Sequence, residues 1–69
     1  MHGVERPALT AREAEVLRWT ADGKTCEEVA LLLRISVNTV KFHVRNAVEK
    51  LSVANKTAAA ANAVALGLL

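Results

Sequence analysis

Two short strings, "TARE" at residues 10–13 and "TCEE" at residues 25–28, each set a threonine three residues before a glutamate. At a helix start this spacing lets the threonine hydroxyl accept the N–H of the third helical residue. The glutamate carboxylate in turn accepts the threonine's own N–H, so two donors without an intrahelical partner are satisfied together. Each string therefore predicts where a helix begins. Leu9, just ahead of Thr10, stands where a hydrophobic staple would close the turn. The first helix is expected to run from its Thr10 cap to about Ala21 and to stop at "DGK", where Gly23 suits a left-handed C-terminal turn.

The same punctuation continues along the chain. "EEVALLL" follows the Thr25 cap as a short second helix, and "RIS" separates it from Ser36, which caps a third helix reaching about Leu51. "SVAN" breaks that helix, Asn55 caps a fourth, and "KTAAAANAVALGLL" carries high helix propensity up to Gly67. No segment alternates with period two, so no strand is expected. The expectation is an all-α fold in which the second and third helices are joined by about three residues, the length of a helix-turn-helix connection. Residues 1–8, "MHGVERPA", hold Gly3 and Pro7 ahead of any periodicity and read as a flexible N-terminal arm; residues 9–69 form the domain.

Composition removes whole classes of function. A chain of 69 residues is near the lower limit at which a core stabilises a fold unaided, and its 52% apolar content makes a core possible, with Leu17 and Trp19 its expected anchors. Cys26 is the single cysteine, which excludes an internal disulfide and suits an intracellular protein. No apolar run approaches the roughly 18 residues of a membrane span, and no signal-peptide core is present, so a cytoplasmic chain without membrane contact is expected. His2, His43 and Cys26 have no zinc spacing, and neither metal nor other cofactor is expected. Cys26 reads as a small buried residue and Glu13 as a cap. No nucleophile has a histidine and a carboxylate at suggestive positions, and no glycine-rich phosphate loop occurs, so an enzyme is not expected.

The net charge of +2 is unevenly divided. Residues 1–33 set Arg6, Arg12, Arg18 and Lys24 against six acids, a balance of −2, while residues 34–69 set Arg34, Lys41, Arg45, Lys50 and Lys56 against Glu49 alone, a balance of +4. A polyanion would meet the second half.

The third helix lies in that half. At about 100° per residue, Val37, Val40, Val44, Ala47, Val48 and Leu51 fall within roughly a third of its circumference and form a core stripe. Phe42 falls nearly opposite, with Asn38, Thr39, Arg45, Asn46 and Glu49 around it and Lys41 at the margin. His43 sits about 90° from the stripe centre and reads as a flanking residue. An aromatic ring on the solvent side calls for something to cover it. In a DNA major groove an apolar side chain packs on thymine methyls, while Lys and Arg reach guanine O6 and N7 or phosphate.

The segments "LTAREAEVLRW", "ADGKTCEEVA", "ISVNTVKFHVRN" and "KTAAAANAVALGLL", in that order and spacing, resemble the LuxR-type helix-turn-helix domain. They look most similar to the C-terminal DNA-binding domains of acyl-homoserine-lactone quorum-sensing transcription regulators, and the resemblance covers the chain from Leu9 onward. It implies a four-helix LuxR/GerE-type fold with the third helix in the major groove and the fourth at a two-fold dimer interface. It puts Lys41, Phe42 and Arg45 toward the bases, and it puts Thr25, Ser36 and Thr39 near the phosphates, where helix N-termini also suit an anion. Asn38, Asn46 and Lys50 complete the expected backbone contacts.

On the fourth helix, Thr57, Ala61, Val64, Ala65 and Leu68 recur at helical spacing with small side chains, and are the expected dimer interface. The expected partners are double-stranded DNA with a pseudo-palindromic site, a second copy of the chain on that DNA, and RNA polymerase as a further candidate. Two other readings stand beside this one. The domain could be the output module of a response regulator or a stand-alone regulator, or it could dock on RNA polymerase or a partner regulator through the Phe42 face.

Overall fold

A computed structural model describes residues 8–69; the expected arm at residues 1–8 falls, except for Ala8, outside them. Four helices follow in order: α1 (Ala11–Ala21), α2 (Cys26–Leu33), α3 (Val37–Leu51) and α4 (Lys56–Ala65). No strand occurs among the described residues.

All four expected N-caps are in place. The Thr10 and Thr25 hydroxyls accept the Glu13 and Glu28 amides at 3.1 Å, and each glutamate carboxylate accepts the threonine N–H at 2.9 Å, so both capping boxes are complete. Ser36 accepts the Thr39 N–H at 3.0 Å, and Asn55 accepts the Ala58 N–H at 2.9 Å.

The C-termini show a shared closure that only half declares itself in the sequence. After α1, Gly23 takes φ +91° and the Lys24 N–H reaches the Trp19 carbonyl at 3.0 Å; after α4, Gly67 takes φ +70° and the Leu68 N–H reaches Ala63 at 2.9 Å. These are Schellman turns, with the left-handed residue supplied by glycine. The ends of α2 and α3 have the same six-to-one bond, Ile35 N–H to Ala30 and Val53 N–H to Val48, but the left-handed residues there are Arg34 (φ 58°) and Ser52 (φ 55°). A side chain in that region costs about 1–2 kcal/mol. Burial of the following residue offsets the cost: Ile35 packs on the Val16–Val29 cluster and Val53 on the Leu17–Ala47 cluster.

The core is divided in two. On the α2 side, Val16, Val29, Ala30 and Val40 are buried, with Trp19, Cys26, Leu33, Ile35, Val37 and Val44 packed around them. On the α4 side, Leu17, Ala47, Leu51, Ala59 and Ala63 are buried, with Leu9, Val48, Val53, Leu66, Leu68 and Leu69 around them. Consecutive residues Val16 and Leu17 of α1 serve one cluster each, and the apolar stripe of α3 runs past both. Leu17 is fully buried as expected, whereas Trp19 is only half-buried; at this helix position the indole covers the edge of the α2-side cluster, and Val16 fills its centre. Cys26 is likewise half-buried, with the Lys56 ammonium 3.8 Å from its Sγ.

Candidate nucleic-acid interface

The α3 stripe behaves as its angles require. Val40, Ala47 and Leu51 are buried, and Val37, Val44 and Val48 are half-buried against the two clusters. Turning that stripe inward turns Asn38, Lys41, Phe42 and Arg45 outward, and all four are exposed. Phe42 keeps 51% of its surface open to solvent. Neither Lys41 nor Arg45 takes part in an ion pair found among the described residues, which are Arg12–Glu15 and Lys50–Glu13. Two cations and an aromatic ring therefore project together, the charges without an ion-pair partner among the described residues, a composition that matches a groove offering phosphates, base-edge acceptors and thymine methyls.

The helix N-termini differ in their suitability for an anion. The first turn of α3 contains no acid, and the Ser36 and Thr39 hydroxyls sit 2.8 Å apart there, a polar pair beside the positive end of the helix dipole. At the start of α2, Glu27 and Glu28 are both in the first turn. The Thr25 N–H bond holds the Glu28 carboxyl below the ordinary carboxylate value, so it is charged at neutral pH. Thr25 remains exposed and its hydroxyl hydrogen is not used by the capping bond, but a phosphate approaching it meets two carboxylates. Of the expected backbone contacts, Ser36 and Asn38 are exposed on α3's cap and first turn, while Thr39 and Asn46 are half-buried.

Lys50, expected at the phosphates, has an intramolecular partner in the free domain. Its ammonium lies 2.7 Å from Oε1 of Glu13, a carboxylate only 3% exposed, and so ties the end of α3 to the start of α1. Burial pushes the Glu13 carboxyl up, but the Lys50 hydrogen bond, the Thr10 N–H and the Lys50 charge outweigh it and hold the group below 4.5. A depressed folded value adds stability that is complete above about pH 4.5 and is lost as pH falls through the lower folded value. Lys50→Ala should cost about 1–2 kcal/mol at neutral pH, less than a fully buried pair because Lys50 is partly exposed, and should flatten the acid limb of the stability curve. Urea denaturation across pH measures both. Unchanged stability with a salt slope for DNA binding lowered by about one would return Lys50 to the phosphates.

On α4, Ala59, Ala60 and Ala63 face the core, and Thr57, Ala61, Val64 and Ala65 are exposed on the other side, Val64 by 58%. Thr57, Ala61 and Val64 border a shallow groove with Thr20 and Ala21 from the end of α1, two residues that the α4 pattern did not indicate. Leu68 does not continue that face: beyond the Gly67 turn it folds back, half-buried, onto the core of its own chain.

A short α2, a three-residue turn held by Ile35 and a longer α3 with a cationic outward face define a helix-turn-helix DNA-binding domain. Residues 7–63 match the model described as bacterial regulatory proteins, luxR family, and the chain belongs to that family. It is 54% identical over 61 residues to the HTH-type quorum-sensing regulator RhlR of Pseudomonas aeruginosa, a match covering 88% of this chain and 25% of that protein. The crystal structure of Escherichia coli SdiA superposes with a TM-score of 0.84 at 49% identity, over 94% of this chain and 28% of that one. The response regulator ChrA of a heme-sensing two-component system gives 0.86 at 39% identity, over 96% and 33%. The chain thus spans about a quarter of the length of RhlR.

Proposed function

We propose that this domain reads a specific double-stranded DNA site for a bacterial quorum-sensing transcription regulator of the acyl-homoserine-lactone type. In this reading α3 lies in the major groove and α4 pairs with α4 of a second copy. The observation that carries the proposal is the outward set Lys41, Phe42 and Arg45, exposed on one side of α3 and opposite its buried stripe. Lys41 and Arg45 supply hydrogen-bond donors to base edges, Phe42 supplies an apolar contact, and Ser36, Asn38, Thr39, Asn46 and Thr25 lie toward the sugar-phosphate backbone. Higher identity to RhlR and SdiA than to ChrA favours the quorum-sensing assignment over a response-regulator output domain, because the three-dimensional likeness is similar for both.

The exposed Thr57, Ala61, Val64 and Ala65 support pairing through α4, since small side chains let two helices approach closely. Such a dimer presents two recognition helices roughly 34 Å apart and calls for a pseudo-palindromic operator. No cofactor is required in this domain, no reaction is assigned to it, and the proposed location is the nucleoid in the bacterial cytoplasm. Among the described residues no helix is long and apolar enough to cross a membrane. RNA polymerase is a further proposed partner. Leu31, 81% exposed on α2 between Glu27 and Arg34, adds a second apolar surface, besides the Phe42 face, for a protein partner to cover.

The test is selection of binding sequences from a randomised duplex pool by the 69-residue chain, followed by titration of the winners across salt. The expected result is enrichment of an inverted repeat whose affinity falls steeply with salt. Absence of enrichment, with weak and salt-insensitive binding, would move the function of this face to protein docking.

A further inference from the structure

Neighbouring residues on a helix point about 100° apart, and their side chains do not ordinarily face each other. Phe42 and His43 nevertheless meet, with ring centroids 5.5 Å apart and planes at 67°. This edge-to-face arrangement sets the positive rim of one ring against the negative face of the other. For adjacent residues to reach it, both side chains must lean together, so each ring restricts the rotamers open to the other. The two are unequal in freedom. His43 is half-buried on the shoulder of α3, between the apolar stripe and the outward face, whereas Phe42 stands in solvent.

We infer that His43 is a positioning residue for base readout: it sets the direction of the Phe42 ring before DNA arrives. The inference rests on Phe42 facing the bases. An exposed benzyl group explores several rotamers, and only some place its ring against a thymine methyl. Ordering it in the free domain removes an entropic cost from binding and penalises sequences that would need another ring position. The contribution falls on discrimination between sites, and the phosphate contacts made by cations are left as they are.

The experiment repeats the duplex selection with the wild type, Phe42→Ala, His43→Ala, His43→Phe and the Phe42→Ala/His43→Ala double variant. Each is then titrated against the selected duplex and its single-base-pair variants at several salt concentrations. His43→Ala is expected to lose preference at the same base pairs as Phe42→Ala, by roughly 2- to 10-fold, the span of an aromatic pair's coupling. The salt slope stays unchanged, the double variant loses no more than Phe42→Ala alone, and His43→Phe restores the preference. In NMR spectra of the free domain, the imidazole carbon-bound protons carry a ring-current shift that Phe42→Ala abolishes.

His43→Ala with unaltered site preference, while Phe42→Ala relaxes it, overturns the positioning role and leaves Phe42 as a reader. A uniform loss of affinity with a lower salt slope overturns it in favour of a direct phosphate contact by His43. Unaltered preference in Phe42→Ala removes that ring from base readout and the role of His43 with it. Should His43→Ala not fold, His43→Phe decides: wild-type preference supports the role, and the Phe42→Ala pattern overturns it.

Discussion

Replacing Leu17 with alanine should lower the stability of the domain by about 2–5 kcal/mol, the cost of removing a buried leucine and leaving a cavity that only partly collapses. Leu17 is fully buried and forms the α1 contribution to the cluster with Ala47, Leu51, Ala59 and Ala63. Three of its four buried cluster partners are alanines, which have little side chain with which to fill the gap. A domain of this length has on the order of 3–10 kcal/mol in total, so the variant should keep only part of its stability margin and unfold at a clearly lower urea concentration. Urea denaturation followed by circular dichroism gives the number. A loss below about 1 kcal/mol would mean that the α4-side cluster closes without Leu17.

The second large effect concerns recognition. Arg45→Ala should weaken binding to the selected operator by about 1–3 kcal/mol and relax preference at one base-pair position, as loss of a bidentate contact to guanine does. Stability should hardly change, because Arg45 is exposed and outside both ion pairs found among the described residues. Unchanged affinity and unchanged preference together would exclude Arg45 from the interface. The pairing of the two experiments is informative: Leu17→Ala lowers the melting point and leaves the outward face of α3 as it was, whereas Arg45→Ala alters binding in a domain that melts as the wild type does.

Helix beginnings were legible in this sequence because their signal is local. Thr10, Thr25, Ser36 and Asn55 each carry an oxygen that reaches an amide three residues on, and residue type alone announces that capacity. Two of the endings were legible for the same reason, through Gly23 and Gly67. Arg34 and Ser52 gave no such notice. Their left-handed backbone is enforced by the burial of Ile35 and Val53, a tertiary cause that no residue at the turn itself encodes.

The same division between local and distant causes explains the candidate site. The outward direction of Lys41, Phe42 and Arg45 follows from helical angles once the valine stripe is recognised. The fate of Lys50 does not, because its partner Glu13 lies 37 residues away and already had an evident task as a cap. The size of Trp19 marks it as a core residue, but size does not tell which side of α1 faces the centre. The helical period puts Leu68 on the outer face of α4 only if it is extended past Gly67, where the chain has ceased to be a helix.

The divided core has a consequence for how such a domain can change over time. α3 is gripped along one side by two separate clusters, one shared with α2 and one with α4, and Lys50 anchors its final turn to α1. None of these holds uses an outward side chain of its middle turns. If Lys41, Phe42 and Arg45 read DNA as proposed, exchanging them alters the address the protein recognises while its scaffold stays as it was, so that a lineage can acquire new regulatory targets by a few surface replacements without first accumulating spare stability.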